Sequence, residues 1–236
     1  MELIKLSKRL RAIADFVPKK ANVADVGTDH GYIPVWLAQN HIAERIVAAD
    51  INRGPLDHAM ETASRYGVSH AIRFALCSGL SFEGSDAYDT IIVAGMGGEL
   101  IASILEEAPW TNREGTTLIL QPNSRIPHLV YWLTDHGFKI SDVSIVKDAG
   151  KLYQILVVQS GKAEPILSEP YALVNRLYFE KKDPLLGEYL DSLLKRYMAA
   201  ERGMQSGKSE DSALRETQIM IAALKDMKKE VEAWQL

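Results

Sequence analysis

One stretch near the N-terminus of this 236-residue chain restricts its fold more than any other feature. The apolar run from Val23 to Val26 predicts a short buried strand, and a helix is predicted to open near Pro34. Between them, Gly27 permits a turn without a Cβ clash, and Gly31 permits a close approach of the backbone to a ligand or to a facing strand. A strand, a glycine loop and a helix in this order form a cradle for a nucleotide.

The middle of this loop departs from the fingerprint of dinucleotide-binding proteins. Its spacing is Gly-x-Asp-x-Gly, with Asp29 where a second glycine is usual. A carboxylate there would repel a pyrophosphate at the helix N-terminus but would attract a cationic ligand, such as the sulfonium and amino groups of S-adenosylmethionine. A plain surface turn stays open as the alternative, because Gly and Asp cluster in turns. His30 lies close enough to contact the cofactor, although a histidine in a turn is more often structural.

Two further predicted strands end in polar residues that suit a nucleotide. The strand over residues 45–50 ends in Asp50, which lies 23 residues after Gly27, the usual distance for a carboxylate that binds ribose hydroxyls. The strand over residues 72–76 leads into Ser78 and Gly79, which we expect beside the adenine base of the bound nucleotide.

The next two predicted strands suggest where a substrate base could lie. The apolar run 89–94 predicts a central strand, which Gly95 and the glycines after it are expected to break. A flat group could lie against that glycine-rich backbone, and a flexible loop is the alternative. The strand over residues 116–120 leads into Asn123, which presents both a hydrogen-bond donor and an acceptor.

The order of the elements predicts the fold class. Residues 139–146 and 153–158 read as strands joined by a short connection, so they must form an antiparallel hairpin. Five β/α units followed by such a hairpin are the arrangement of class I, Rossmann-like methyltransferases, whereas dehydrogenases continue with parallel units. A nicotinamide-dependent dehydrogenase remains a rival interpretation because it would share the glycine loop and Asp50.

The composition limits where in the cell the protein is expected and which metal sites it could form. No apolar run approaches the roughly 20 residues of a membrane span, so we expect a cytoplasmic protein without a membrane partner. The single cysteine, Cys77, excludes an internal disulfide and a cysteine-rich metal site, and no metal is predicted.

The net charge of −4 means that nucleic-acid binding must depend on how the charges are distributed. The first 20 residues contain six cationic side chains against two acidic ones. Apolar residues there recur every three or four positions, which predicts one helix ending near Pro18 with its cations on the other faces. A merely solvated face is the alternative for the candidate RNA contacts. These contacts are Lys5, Lys8, Arg9 and Arg11, and the apolar stripe is Leu3, Leu6, Leu10, Ile13 and Val17.

The character of the sequence changes after residue 161. We predict a methyltransferase domain with a basic N-terminal helix over residues 1–161 and a C-terminal domain over residues 162–236. In the second domain a helix is expected over residues 171–180, and two longer helices flank a turn at residues 203–207. Their seven-residue apolar rhythm predicts an antiparallel hairpin that pairs as a short coiled coil.

Three motifs give the chain a family resemblance. It resembles the bacterial tRNA adenine-N1 methyltransferases of the TrmK family at residues 25–32, 93–99 and 120–123. The resemblance implies that the chain methylates N1 of the D-arm adenine at position 22, with S-adenosylmethionine as cofactor and tRNA as partner. A methyltransferase for another RNA base and a non-catalytic RNA-binding protein are the alternatives.

This reading assigns a role to each candidate residue. Because the methylated base is cationic, a carboxylate or carbonyl beside it would stabilise the transition state, and Asp29 and Asn123 are the catalytic candidates. Whether Asp29 acts on the base or only on the cofactor stays open, as does any contact of the hairpin with tRNA. We expect a monomer. The predicted cofactor contacts are Gly27, Asp29, His30, Gly31, Asp50, Ser78, Gly79 and Gly95.

Overall fold

The computed structural model describes residues 3–163, 165–166, 168–206 and 211–235. Two compact units make up the chain, Met1–Pro165 and Ile166–Leu236. The first contains the sheet and its covering helices, and the second consists of helices.

The first unit is built on a seven-stranded sheet with the order β3-β2-β1-β4-β5-β7-β6. The neighbours among β1 to β5 pair in parallel, whereas β7 pairs antiparallel with both β5 and β6. The predicted class I methyltransferase sheet with its terminal antiparallel hairpin is therefore confirmed. The strands are β1 (Ala21–Val26), β2 (Ala43–Asp50), β3 (Arg73–Leu76), β4 (Thr90–Gly97), β5 (Thr117–Ser124), β6 (Phe138–Asp148) and β7 (Lys151–Ser160).

Helices cover the sheet and separate the parallel strands except β3 and β4, between which there is only a short 3-10 helix at Ser85–Ala87, so one of the five predicted β/α units lacks its α-helix. The buried Ile91, Ile92 and Val93 of β4 are inaccessible to solvent, as expected for a central strand covered on both faces. The helices of this unit are α1 (Lys8–Ala14), α2 (Tyr32–Gln39), α3 (Arg53–Arg65), α4 (Gly98–Glu106) and α5 (Ile126–Asp135).

The carboxyl ends of the parallel strands share one edge of the sheet, where open α/β sheets bind ligands. Both β5 and β6 run antiparallel to β7, so β6 points in the same direction as β5. Asp148, the last residue of β6, therefore lies at the same edge as Ser124. Its carboxylate accepts hydrogen bonds from the Ser7 side chain and from the Arg9 backbone amide (3.2 Å), which lower its pKa. This contact attaches the start of α1 to the ligand-binding edge.

The N-terminal segment corrects one prediction. The helix spans only Lys8–Ala14, and residues 3–7, which include Lys5, precede it. Leu3, expected on the buried stripe, is 62% exposed, while Ile4 is buried and donates its backbone N–H to Gln39 Oε1 (2.9 Å). Ser7 Oγ accepts a hydrogen bond from Leu10 N and so caps the shorter helix. A bond between distant residues thus replaces the first turns of the predicted helix.

The glycine-rich stretch after residue 94 is a second correction. It does not break the fourth strand, because β4 continues through Gly95 to Gly97. Likewise β5 continues through Asn123 to Ser124. Two irregularities in the pairing of these strands accommodate the extra length.

The second unit contains four α-helices and a short 3-10 helix, Ala233–Gln235, within its described residues. The single helix expected over 171–180 is instead α6 (Glu169–Leu173) and α7 (Leu177–Glu180), separated where the buried Val174 adopts an extended conformation. The long helices are α8 (Leu186–Ser206) and α9 (Asp211–Glu232). Helix α8 continues through residues 203–206 of the predicted turn, whereas residue 207 lies outside the described residues.

Side-chain pairs show that the two long helices run antiparallel. Lys228 pairs with Asp191 near one end, and Gln218 Nε2 donates to Glu201 Oε1 (3.1 Å) towards the other. The predicted helical hairpin is present, and its coiled-coil character stays a prediction.

Candidate active site

A cavity of about 610 Å³ opens at the carboxyl edge of the parallel strands. Every predicted cofactor contact lines it except Gly31, and so does Asn123. Arg9 and Leu10 of α1 also contribute to its wall, although Arg9 was expected at an RNA-facing surface. The sequence-predicted cofactor residues that line the cavity are Gly27, Asp29, His30, Asp50, Ser78, Gly79 and Gly95.

Both glycines of the loop have a backbone conformation that favours glycine, and at Gly31 the space is also restricted. Gly27 and Gly31 have φ angles of +71° and +67°, in the left-handed region that favours glycine. A Cβ at Gly27 would overlap the terminal methyl group of Met96. A Cβ at Gly31 would lie 2.8 Å from the Cβ of Ala59, so Gly31 lets the loop pack on α3 rather than on a strand or ligand.

Asp50 is oriented by the backbone around it. Its carboxylate is buried and accepts hydrogen bonds from the Asn52 amide (2.8 Å) and, at 3.5 Å, from the Asp29 amide. A carboxylate offers about four acceptor positions, so these two bonds leave capacity for ligand hydroxyls. The position at the end of β2 is the one that the spacing from the glycine loop predicts.

Asp25 is a carboxylate at this site that the sequence reading did not single out. It lies in β1, is buried, and accepts a hydrogen bond from Thr28 Oγ1 (2.7 Å). Burial, together with the nearby charge of Asp50 and against the effect of the Thr28 hydrogen bond, raises the pKa of Asp25 to about 6. An acidic residue inside an otherwise apolar strand, directly before the glycine loop, was the signal that could have identified it.

Asp29 and His30 lie at the mouth of the cavity. The Asp29 side chain is 69% exposed, and its Oδ1 is 3.7 Å from His30 Nε2. The His30 ring stacks on Tyr32 and on His58, with centroid separations of 5.4 and 5.1 Å. This three-ring stack gives His30 a structural role beside any contact with a ligand.

Asn123 lies at the irregular pairing of β4 with β5. Ala94 pairs with Gln121, and the next pairs are Met96 with Pro122 and Gly97 with Ser124. Gly95 and Asn123 are each passed over in this ladder, so both strands bulge at the cavity. Asn123 Nδ2 donates to the carbonyl oxygen of Gly95 (2.8 Å), which links the two bulges.

The far wall of the cavity is formed by the residues that follow β3 and by α4. Ser78 and Gly79 line it, and Gly79 (φ +53°) faces Ile104 of α4. Leu100 adds another apolar side chain to this wall. Cys77 is half-buried, and burial raises the pKa of its thiol, which disfavours the thiolate.

The four predicted RNA contacts do not share one surface. Lys5 and Lys8 are exposed, and Arg11 pairs with Asp15 (2.7 Å) while its guanidinium lies over the Trp36 ring. Arg9 is half-buried and directs Nη1 to Gln121 Oε1 (2.6 Å). The exposed outer face expected for all four cations is therefore wrong for Arg9.

Two negative findings apply to the described part of the chain. None of its helices is both long and apolar enough for a membrane span. Within the same residues, no group of three or more His, Cys, Asp or Glu side chains could hold a metal ion.

Comparison with known proteins places this site in a family. Residues 6–156 match a family described as a methyltransferase domain. The chain is 37% identical over 161 residues to the tRNA (adenine(22)-N(1))-methyltransferase of Bacillus subtilis strain 168. The matched stretch is 68% of this chain and 68% of that protein. The chain belongs to this tRNA methyltransferase family. The resemblance inferred from the three motifs is thereby confirmed.

Solved structures extend the likeness to almost the whole chain. A Streptococcus agalactiae protein of the NADB-Rossmann superfamily has a TM-score of 0.86 at 32% identity, covering 96% of this chain and 98% of its own. A Streptococcus pneumoniae protein in complex with S-adenosyl-L-methionine has a TM-score of 0.82 at 32% identity, covering 95% and 100%. Family membership decides against the dehydrogenase interpretation.

Proposed function

We propose that this protein transfers a methyl group from S-adenosyl-L-methionine to N1 of adenine 22 in tRNA. The observation that carries the proposal is that Asp50, the glycine loop and Asn123 line one cavity in a chain of this family. A cytoplasmic location and a monomeric state, both expected from the sequence, are part of the proposal.

The residues around the cavity fit this cofactor. Asp50 has spare acceptor capacity for the two ribose hydroxyls, and Gly27 lines the same cavity. Ile51 is 65% exposed at the cavity and offers apolar contact to an adenine ring, beside Ser78. The exposed carboxylate of Asp29 suits the cationic amino and sulfonium groups.

The reaction does not require a general acid or a general base from the protein. The bound cofactor supplies an electrophilic methyl group on a sulfonium, and adenine N1 has an in-plane lone pair that needs no deprotonation. The residues therefore act by orientation and by stabilising a base that becomes cationic. Asn123 Oδ1 and the carbonyl of Gly95 provide partial negative charge at the bulged edge of the sheet. We assign Asn123 to the base and Asp29 to the cofactor or to the developing charge.

The substrate must present its adenine unpaired. N1 lies on the Watson–Crick edge, so a base-paired adenine would have to leave its helix before reaching the cavity. Lys5 lies on the segment before α1, Lys8 is the first residue of α1, and both are exposed; Arg9 and Leu10 of the same helix line the cavity. These two lysines are the proposed contacts to tRNA phosphates.

A methylation assay on tRNA transcripts tests the proposal. The purified protein should incorporate one methyl group per transcript with adenine at position 22, and primer extension should stop there because N1-methyladenine cannot pair. A transcript with guanine at position 22 is the matched control and should remain unmodified. Stops at another position would instead support a different target base. Binding of tRNA without any methyl transfer would support the non-catalytic alternative.

A further inference from the structure

Three hydrogen bonds join α1 to the bulged edge of the sheet in one continuous chain. Arg9 Nη1 donates to Gln121 Oε1 (2.6 Å), and Gln121 Nε2 donates to Asn123 Oδ1 (2.9 Å). Asn123 Nδ2 then donates to the carbonyl oxygen of Gly95 (2.8 Å). This chain of hydrogen bonds therefore begins on the N-terminal helix and ends at the proposed position of the substrate base.

The groups at the two ends of this hydrogen-bond chain fix its donor-to-acceptor direction. The Arg9 guanidinium can only donate hydrogen bonds, and the Gly95 carbonyl can only accept them. Turning over the amide of Gln121 would place a donor against Arg9, and turning over that of Asn123 would place an acceptor against Gly95. Either reversal would lose two bonds, so the direction of both amides is fixed by their neighbours rather than by their own preference.

The Arg9–Gln121 part of this hydrogen-bond chain is buried and held in place, whereas the Asn123 end is exposed. Gln121 is inaccessible to solvent, which makes an unpaired amide at that position costly. Arg9 is held in place by Asp148, which accepts its backbone N–H, and its guanidinium lies 5.4 Å from the centroid of the Tyr153 ring. Asn123, in contrast, is exposed to the cavity. The exposed amide is thus oriented by a buried one.

Asn123 keeps one group of each kind for a ligand. Its Oδ1 has a second lone pair, and its Nδ2 has a second hydrogen, beyond the bonds to Gln121 and Gly95. An amide that offers one acceptor and one donor side by side matches the N6 amino group and N7 of adenine, a pairing that leaves N1 free. The complementary edge is presented only if the amide keeps its direction.

We propose that Arg9 and Gln121 are positioning residues that fix the direction of the Asn123 amide and thereby select adenine through its N6 amino group. This inference rests on the proposed function. Arg9 acts through Gln121 and Asn123, so its removal lowers turnover without weakening the hold on the cofactor. It is not primarily a phosphate contact, although it carries a positive charge in a tRNA-binding protein.

Variants of Arg9 test the proposal on the full-length enzyme. Arg9→Met removes the donor-only end and should lower kcat on the adenine-22 transcript by ~10-fold or more, the effect of about one hydrogen bond, with KM for tRNA little changed. Arg9→Lys keeps a donor-only group and should restore most of kcat. Affinity for S-adenosylhomocysteine, measured by calorimetry, should equal that of the unaltered protein in both variants.

A substrate analogue tests the selection of N6. A transcript with purine riboside at position 22 lacks the amino group, and its altered N1 basicity affects every enzyme equally. The ratio of kcat/KM for adenine over purine should therefore be several-fold larger for the unaltered protein than for Arg9→Met. Gln121→Glu, which replaces the donor facing Asn123 by an acceptor, should reduce the ratio in the same way, and its thermal unfolding is followed as a check on folding.

Two outcomes would overturn the inference. If Arg9→Met raised KM for tRNA and flattened its salt dependence while kcat stayed the same, Arg9 would be a phosphate contact. If the adenine-to-purine ratio were equal in the unaltered protein and in Arg9→Met, the hydrogen-bond chain would not select the base. Failure of the proposed function is distinguishable, because then the unaltered protein itself would not methylate adenine 22.

Discussion

At the scale of single residues, two neighbouring carboxylates beneath the glycine loop have different surroundings. Asp50 accepts hydrogen bonds from two backbone amides, whereas the carboxylate of Asp25 accepts one from the Thr28 hydroxyl and is enclosed in the sheet. Desolvation therefore dominates at Asp25 and raises its pKa from an ordinary 3.8 to about 6. The two residues are suited to different tasks, Asp50 to binding hydroxyls and Asp25 to holding the loop.

The raised pKa of Asp25 predicts how stability depends on pH. The folded state binds more protons than the unfolded state between about pH 4 and 6, so the contribution of Asp25 to stability falls as pH rises through that window. The penalty at pH 7 is at most about 3 kcal/mol. Asp25→Asn keeps an acceptor for Thr28 and should be more stable than the unaltered protein at pH 7.5. Urea unfolding from pH 4.5 to 8 should show this gap closing at low pH, and a gap that is constant with pH would contradict the prediction.

The role of Asp50 predicts a loss of cofactor affinity. Asp50→Asn keeps an acceptor for the Asn52 amide but removes the charge, and hydrogen bonds to charged groups are worth about 1.5–3 kcal/mol. Affinity for S-adenosylhomocysteine should fall roughly 10- to 100-fold by calorimetry. Asp57→Asn is the matched control, because Asp57 is on the next helix and pairs with Arg53 (2.9 Å) away from the ribose site. Equal affinities for the two variants would remove Asp50 from the cofactor site.

At the scale of elements, local patterns predicted the strands well and long-range contacts explain the errors. Apolar runs ending in Val26, Asp50 and Ala94 identified the central strands, because a strand covered on both faces must be apolar throughout. The spacing of Leu3 also fitted a helix, yet the bond from Ile4 to Gln39, 35 positions away, holds that segment outside α1. Nothing in the sequence shows which side chain a distant amide will meet.

The same reason limits prediction of the candidate site. Spacing alone brought Gly27 and Asp50 to one cavity because the strand edges of a parallel sheet coincide. The inward turn of Arg9 depends on Gln121, which is 112 positions away, and the paired bulges depend on the register of β4 against β5. Such features follow from tertiary packing and not from local propensity.

The packing of the glycine loop on α3 predicts a destabilised variant. Gly31→Ala forces a side chain into the left-handed region and places its Cβ 2.8 Å from that of Ala59, so unfolding free energy should fall by about 2–4 kcal/mol. Gly54→Ala is the control on α3 itself, since apart from its chain neighbours and the nearby backbone of its own helix no atom lies within 4 Å of its added Cβ. It should be neutral or slightly stabilising, because alanine favours a helix. Chemical denaturation measures both, and equal stabilities would show that the loop can shift away from α3.

At the scale of the whole molecule, an acidic protein must hold a polyanion. The net charge is −4, so favourable contacts have to come from a local excess of cations. The helices α8 and α9 contain seven Lys and Arg against eight Asp and Glu, and their charges nearly cancel. The first 20 residues have the excess, and their exposed cations without an ion pair in the described part of the chain are Lys5, Lys8, Lys19 and Lys20, of which Lys5 and Lys8 are the predicted RNA contacts.

This distribution predicts which unit gives tRNA binding its salt dependence. Lys5→Glu/Lys8→Glu should weaken tRNA binding and flatten the plot of log affinity against log salt concentration by roughly one to two units, since each phosphate contact releases counterions. Lys195→Glu/Arg202→Glu makes the same change of charge on α8 and should leave the slope nearly unaltered. Filter-binding titrations over a salt series measure both, with cofactor affinity expected to stay constant. The reverse result, a slope lost only in the α8 variant, would assign the electrostatic contact to the helical hairpin.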